Sequence, residues 1–157
     1  MLAISEVDKQ SRLAMRASIE QFEAAIQEEV GSERGIADDL NAEGLEEYLV
    51  GGAYTRIITM PAGVAFVSEL WNRDRLWILL KGTLHVRTET GDKTLVGPCV
   101  EKALFGSKVI GYSETEAQWA AITGCTETED LKEVEKFVVA KGYEELVYPW
   151  DNLEHQS

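Results

Sequence analysis

The stretch that follows Gly51 and Gly52 constrains the fold most, because β-branched and aromatic residues there are interrupted at short intervals by turn-forming residues. This pattern predicts about eight short strands. Strands so closely spaced leave no room for the long crossovers of a parallel sheet, so we expect an antiparallel β-barrel of the jelly-roll type. The predicted strands are Ala53–Thr59, Val64–Leu70, Arg75–Lys81, Thr83–Thr90, Lys93–Val96, Cys99–Leu104, Lys108–Gly111 and Ala117–Thr123.

A long amphipathic helix is predicted before this region. From Ser5 to Val30, apolar residues recur at three- and four-residue steps, which is the period of a helix. The apolar stripe is narrow and heptad-like, so it can either cover the protein's own barrel or pack against a second copy of the chain. Ile36–Leu49 is expected to form a shorter, acidic and helical connection. The stripe residues that are candidates for an interaction surface are Met15, Ile19, Phe22 and Ile26.

A second helix is predicted after the strands. Thr126–Glu129 has the pattern of a capping box, and apolar residues follow it at helical spacing. The tail beyond contains Tyr148 and Trp150, which either strap over the domain or dock onto a neighbour. The chain is thus expected to consist of an N-terminal helical arm (residues 1–48), a β-barrel (49–125) and a C-terminal helix with an aromatic tail (126–157).

Length and charge exclude several classes of protein. A chain of 157 residues is long enough for one domain with a sizeable core. Its formal net charge of −13 repels phosphate backbones and anionic lipids, so neither a nucleic-acid nor a membrane partner is expected. Cys99 and Cys125 lie in apolar settings and no signal peptide is recognisable, which favours a reducing compartment and free thiols.

The sequence is poor in residues that catalyse reactions. It has two histidines, neither with a cysteine or carboxylate at the spacing of a zinc site. His85 shares a strand face with Thr83, Arg87 and Glu89, and that face is expected to be solvated. Phosphate-binding glycine loops, nucleophile elbows and metalloprotease motifs are missing from the sequence. We therefore predict no catalytic residue.

One spacing resembles that of a known family. Gly63, Glu69, Trp71, Arg75 and Gly82 follow one another at the intervals of the first motif of the cupin superfamily, which reads Gly, His-x-His, Glu and Gly. Further segments are similar to small cupin-like proteins encoded by tailed bacteriophages, and the resemblance extends over roughly residues 48–145, with the N-terminal helix outside it. These segments are Pro61–Gly63, Ile78–Gly82, Gly97–Pro98, Gly106–Lys108, Gln118–Trp119 and Thr126–Leu131.

The resemblance implies a metal site that this chain does not preserve. Cupins that bind metal place two histidines and a carboxylate in the first motif and a third histidine in the second. Here Glu69, Trp71 and Arg75 occupy the first-motif positions, and Val109 or a neighbour stands in place of the last ligand. Arginine does not deprotonate and tryptophan has no lone pair to donate, so these side chains cannot hold a transition metal. We therefore expect no metal, no cofactor and no enzymatic activity.

Two hypotheses describe what replaces the metal. In the first, Glu69 and Arg75 project together into the barrel mouth and form an ion pair beside Trp71, which fills the former metal pocket. In the second, the same three residues and Arg56 bind a sugar or a small acid through stacking and bidentate hydrogen bonds.

The resemblance to phage proteins favours a structural function. We predict a non-enzymatic bacteriophage cupin-like protein that acts as a protein-interaction module, as a head, neck, tail or decoration component of the virion. It is then expected in the virion or the host cytoplasm, with virion proteins and copies of itself as partners. The alternatives are a metal-dependent cupin enzyme or a small-ligand-binding barrel, and a phage factor that binds a host protein.

Overall fold

A computed structural model gives the fold of the protein and describes residues 6–30, 44–142 and 145–146. Helix α1 spans Glu6–Val30, and a 3₁₀ turn over Leu131–Glu133 leads into a short helix, α2, over Val134–Val138. The strands are β1 (Leu45–Val50), β2 (Ala53–Met60), β3 (Ala65–Val67), β4 (Leu70–Trp71), β5 (Arg75–Lys81), β6 (Thr83–Thr88), β7 (Gly91–Val96), β8 (Cys99–Ala103), β9 (Ile110–Ser113), β10 (Ala117–Gly124) and β11 (Val139–Ala140).

Two antiparallel sheets make up most of the described chain. One has the strand order β1-β2-β10-β5-β8 and the other the order β3-β9-β6-β7, while β4 pairs with β11 in a separate ladder. Within the described residues the two sheets are not joined by hydrogen bonds into a closed barrel, and they share one core, as in a jelly roll. The predicted mainly-β jelly-roll fold with an N-terminal and a C-terminal helix is confirmed.

The core between the sheets contains three aromatic rings in contact. Trp119 on β10 packs edge-on against Phe66 on β3, with ring centroids 5.5 Å apart, and against Trp77 on β5, at 5.0 Å. Edge-to-face pairs contribute about 0.5–1.5 kcal/mol each beyond the area they bury. Because Phe66 belongs to one sheet and the two tryptophans to the other, these rings stabilise the packing of sheet on sheet.

Strand β1 contradicts the helical connection expected over Ile36–Leu49, of which residues 36–43 lie outside the described residues. Its sequence is rich in Leu and Glu, which favour helices. Nevertheless every residue of β1 pairs with β2, and Leu49 packs against buried aromatic side chains. Pairing with a neighbouring strand therefore outweighs the local preference. The predicted strand Val64–Leu70 is likewise divided into β3 and β4.

Helix α1 lies against the four-stranded sheet. Ile19 is fully buried and packs on Val67 and Ile110, whereas Met15 is half-buried and Phe22 is 38% exposed. The apolar stripe thus covers the protein's own sheet at Ile19, which is one of the two alternatives that its pattern allowed. None of the described helices has the length and apolar character that a membrane crossing requires.

Replacing Ile19 with alanine is expected to lower the free energy of unfolding by about 2–4 kcal/mol, because the substitution empties a buried site. Leu13 is the matched control, since it lies on the same helix but is 44% exposed. Its replacement by alanine is expected to cost less than about 0.5 kcal/mol. Urea denaturation measures both losses. Equal values would show that α1 is not held on the sheet through Ile19.

The segment after β10 begins its helix later than predicted. The N-cap is Asp130, whose carboxylate accepts a hydrogen bond from the Lys132 N–H at 3.0 Å, and not the expected box at Thr126–Glu129. Glu127 is engaged elsewhere, because Arg73 donates to both of its carboxylate oxygens, at 2.7 and 3.1 Å. The interaction candidates that lie outside the described residues are the side chain of Ile26 and the residues Tyr148 and Trp150.

The strand face around His85 is solvated over only part of its length. His85 and Arg87 are exposed, as expected. Glu89 is buried against α1 instead, with its carboxylate 3.5 Å from Arg16. Burial raises the pKa of Glu89, and Arg16 and Arg12 act in the opposite direction. The prediction for Glu89 is wrong because a distant helix covers the end of this hairpin.

Candidate functional site

A partly enclosed cavity of about 80 Å³ lies between the two sheets. Strands β2, β5 and β10 contribute alternate residues to its wall, because successive side chains of a strand point to opposite faces. The rest of the wall comes from β3, β4 and the link between them. The lining residues are Arg56, Ile58, Met60, Phe66, Val67, Ser68, Glu69, Trp71, Arg75, Trp77, Trp119 and Ala121. All four residues that the sequence placed in the barrel mouth, Arg56, Glu69, Trp71 and Arg75, therefore line one cavity.

Arg75 is a buried cation held by main-chain carbonyls and indole rings. Its side chain donates to the Glu69 carbonyl, at 3.4 Å from both terminal nitrogens, and to the Ser107 carbonyl at 3.1 Å. The guanidinium carbon lies 4.8 Å from the ring centroid of Trp71 and 5.0 Å from that of Trp77. Arg75 Nε is buried and has no hydrogen-bond partner among the described residues.

The charge of Arg75 is not matched by a carboxylate in contact. Across the described residues, no carboxylate oxygen comes within the 4.0 Å of an ion pair with it. Burial lowers the pKa of the Arg75 guanidinium to about 9, an effect that the nearby charge of Arg56 reinforces and that of Glu69 opposes. The group therefore remains a cation at neutral pH, inside a largely apolar cavity.

Arg56, the other cation of the cavity, is surrounded by acidic residues. It forms a close ion pair with Glu69, and its guanidinium lies 3.7 Å from a carboxylate oxygen of Glu47 and 3.7 Å from one of Glu135. Burial depresses the pKa of Arg56, but Glu69, Tyr54 and the other two glutamates together raise it above its ordinary value. Carboxylates thus balance the charge of Arg56, whereas no carboxylate of the described residues is in contact with Arg75.

The predicted ion pair between Glu69 and Arg75 is not the one that forms. The carboxylate of Glu69 binds Arg56 and accepts a hydrogen bond from Trp71 Nε1 at 3.4 Å, while Arg75 meets the main-chain oxygen of Glu69. Glu69 lies in the irregular link between β3 and β4, where the period of two does not fix the direction of a side chain. Its carboxylate therefore contacts β2 and not β5.

Several residues of the site were not singled out from the sequence. Trp77 and Trp119 could have been found, because each lies two positions from another lining residue on the same strand. Glu47 was hidden by the wrong assignment of β1, where it stands directly opposite Arg56. Ser107 contributes only a main-chain oxygen, for which a sequence holds no signal.

The described residues do not fit the transition metal that the cupin resemblance implies. In this part of the chain, no three His, Cys, Asp or Glu side chains come together as a metal-binding group. Glu69 is the one carboxylate among the described lining residues, and it is engaged by Arg56. Val109, at the second-motif position, is a core residue. The two guanidinium groups at the cavity would also repel a cation.

No family model matches the chain, and none of the curated proteins matches it. Solved structures do resemble it. An acetylacetone dioxygenase from Acinetobacter johnsonii is 20% identical with a TM-score of 0.43, over 51% of this chain and 58% of the dioxygenase. An RmlC-like cupin family protein from Methanocaldococcus jannaschii is 13% identical with a TM-score of 0.45, over 52% and 78%. KdgF from a Halomonas species is 10% identical with a TM-score of 0.44, over 54% and 83%.

The comparison corrects the predicted function. The match spans little more than half of the dioxygenase, and at these identities the likeness is one of fold. One of the three proteins is named as an enzyme, and none is described as a phage or virion component. The prediction of a non-enzymatic virion component is therefore wrong.

Proposed function

We propose that the protein is a cupin-like barrel that binds a small organic acid, whose carboxylate pairs with Arg75. One observation supports this most directly. Arg75 is a cation that is 5% exposed, lines a cavity and has no carboxylate in contact among the described residues. Binding of this kind requires no catalytic step, and none is proposed.

The cost of burying a charge is the physical reason. Removing a guanidinium from water costs several kcal/mol unless a counter-charge and hydrogen bonds replace its hydration. The carbonyls of Glu69 and Ser107 supply part of this compensation, but Nε is left without an acceptor within the described chain. A carboxylate ligand would supply both the counter-charge and the missing acceptor.

Arginine suits a carboxylate in particular. Its planar fork can donate two parallel hydrogen bonds to the two oxygens of one carboxylate. Trp71 and Trp77 lie close to the guanidinium of Arg75, so the side chain has little rotational freedom to lose when a ligand binds. The cation is therefore preorganised for such a ligand.

A sugar suits this cavity less well than an acid. Each hydroxyl group that a sugar buries needs a hydrogen-bond partner. Apart from the indole N–H groups of the three tryptophans, the polar lining side chains are Arg56, Ser68, Glu69 and Arg75. Arg56 and Glu69 are bonded to each other, and Ser68 Oγ already accepts a hydrogen bond from the Val109 N–H at 2.9 Å. Few polar groups of the described lining therefore remain for a ring with several hydroxyl groups.

Calorimetric titration with butyrate and with butyramide tests the proposal. The two ligands have nearly the same shape and differ in charge, so we expect binding of butyrate alone. In the Arg75→Met variant the affinity for butyrate is expected to fall at least about 30-fold, because removing one partner of a buried charge pair costs about 2–5 kcal/mol. Arg87→Met is the matched control, since Arg87 is exposed and pairs with Asp92 outside the cavity lining.

Three results would contradict the proposal. The acid and its amide could bind equally well, butyrate binding could survive the Arg75→Met substitution, or none of the acids from acetate to hexanoate could bind. The Arg87→Met control is expected to bind butyrate like the wild type, which separates the loss of this one cation from a general change in net charge.

A further inference from the structure

We infer that the bound acid carries a single negative charge on a short, unsubstituted apolar chain, and that Glu69 makes the site selective against acids with a second charge. This inference rests on the proposed function and specifies the ligand class of the same cavity. It follows from the number of uncompensated cations at the cavity, from the charge at its wall and from its size and lining.

Counted over the residues that the structure describes, the cavity offers one free cation and not two. Arg56 lies within ion-pair distance of the carboxylates of Glu47, Glu69 and Glu135, so its charge is already compensated. Arg75 has no such contact within the described chain. A ligand with one carboxylate therefore balances the site, whereas the second carboxylate of a diacid would find no free counter-charge.

The carboxylate of Glu69 would also repel the second carboxylate of a diacid. Its carboxylate lines the cavity and is 30% exposed, while its main-chain oxygen binds Arg75. A diacid held at Arg75 would place its second charge in the same small space as this carboxylate. Like charges a few ångströms apart in a protein environment repel each other, and the low polarity of the cavity strengthens this repulsion. The cavity therefore favours acids with one negative charge over acids with two.

The volume and the lining of the cavity indicate the length and the polarity of the rest of the ligand. The cavity measures about 80 Å³, whereas an engineered cavity of about 150 Å³ holds benzene. Because the cavity is also partly open, an acid of about three to five carbons fits it on this scale. Most of the wall is apolar, so a hydroxyl group buried against it would lack a hydrogen-bond partner and would weaken binding. The apolar lining residues are Ile58, Met60, Phe66, Val67, Trp119 and Ala121.

Butyrate and succinate form the decisive pair of ligands, because both have four carbons and they differ in the number of charges. At pH 8, wild-type protein is expected to bind butyrate at least about tenfold more tightly than succinate. In the Glu69→Gln variant this ratio is expected to fall below about threefold, since the repulsion is removed and Arg56 loses its closest carboxylate partner. Glu114→Gln is the matched control, because Glu114 pairs with His85 on the exposed face and should leave the ratio unchanged.

The wild-type protein alone supplies a second test that does not depend on how the variant folds. Along the series from acetate to octanoate, the affinity is expected to rise and then level off beyond about five carbons. 4-Hydroxybutyrate is expected to bind at least about fivefold more weakly than butyrate, because most of the cavity wall offers its hydroxyl group no hydrogen-bond partner.

Failure of this inference is distinguishable from failure of the proposed function. If succinate binds wild-type protein as tightly as butyrate and Arg75→Met abolishes both, the acid site stands and charge selection by Glu69 is overturned. An unchanged ratio in Glu69→Gln overturns it as well. If no acid binds at all, the proposed function fails and this inference fails with it.

Discussion

The Arg75→Met variant is expected to be at least as stable as the wild type in the absence of ligand, and more stable by up to about 1–4 kcal/mol. Methionine is a long, flexible side chain that makes favourable contacts with aromatic rings, so it can occupy the space beside Trp71 and Trp77. The substitution also removes a buried cation whose hydration is only partly replaced. Arg75 would thus bind the ligand but lower the stability of the folded protein, a trade-off that is common at functional sites.

The Arg75→Ala variant is expected to be less stable than Arg75→Met by about 2–4 kcal/mol. Both substitutions remove the charge, but alanine also leaves a void next to two indole rings. Urea denaturation of the two variants and of Arg87→Met, expected to lie within about 0.5 kcal/mol of the wild type, measures these differences.

The same experiment identifies the partner of Glu69. In the structure the Glu69 carboxylate binds Arg56, so removing Arg75 leaves no carboxylate unpaired. If Glu69 paired with Arg75 instead, Arg75→Met would strand a buried charge and cost about 3–5 kcal/mol. A loss of that size would therefore overturn the arrangement described for the cavity.

Replacing Gly82 with alanine is expected to lower the free energy of unfolding by about 3 kcal/mol or more. Gly82 joins β5 to β6 with a φ of +96°, which costs other residues about 1–3 kcal/mol by itself. A Cβ atom there would also lie 2.4 Å from the Glu116 carbonyl oxygen and 2.7 Å from the Ala117 Cα. Both are main-chain atoms, so relieving the clash requires the backbone to move.

Gly63 provides the matched control for Gly82. Its φ of +81° is similar, but a Cβ atom added there would meet nothing within 4 Å. Gly63→Ala is expected to cost about 1–2 kcal/mol, from backbone strain alone. Chemical denaturation of both variants separates strain from crowding. Equal losses would mean that the close approach of Gly82 to the β10 backbone does not contribute to stability.

The predictions about the binding partners of the protein stay predictions. Pairing of the chain with copies of itself, and the lack of a nucleic-acid or membrane partner, follow from family resemblance and from the net charge of −13. The bacteriophage assignment rested on resemblance of segments and not on any side chain with a chemical role. Phage origin therefore stays a prediction, whereas Glu69, Trp71 and Arg75, which were selected by their resemblance to the spacing of the cupin motif, are found together around one cavity.

Local patterns were enough to predict most of the β-structure. Alternation along a strand and the residues that form turns are properties of a few neighbouring positions, and they located β5 with the bounds that the structure shows. The same alternation brings Arg75 and Trp77 onto one face of β5, so the chemistry of the cavity was visible in the sequence. The amphipathic pattern likewise predicted α1.

Contacts between distant segments could be decided only by the tertiary structure. Glu69 pairs with Arg56 because the irregular link after β3 turns its carboxylate toward β2. Leu45–Val50 is a strand because β2 offers it a partner, and Glu89 is buried because α1 covers it. The partner of Glu89 lies far along the chain, and even the adjacent strand β2 decides the structure of β1 through pairing that the helical preference of Leu45–Val50 does not reveal.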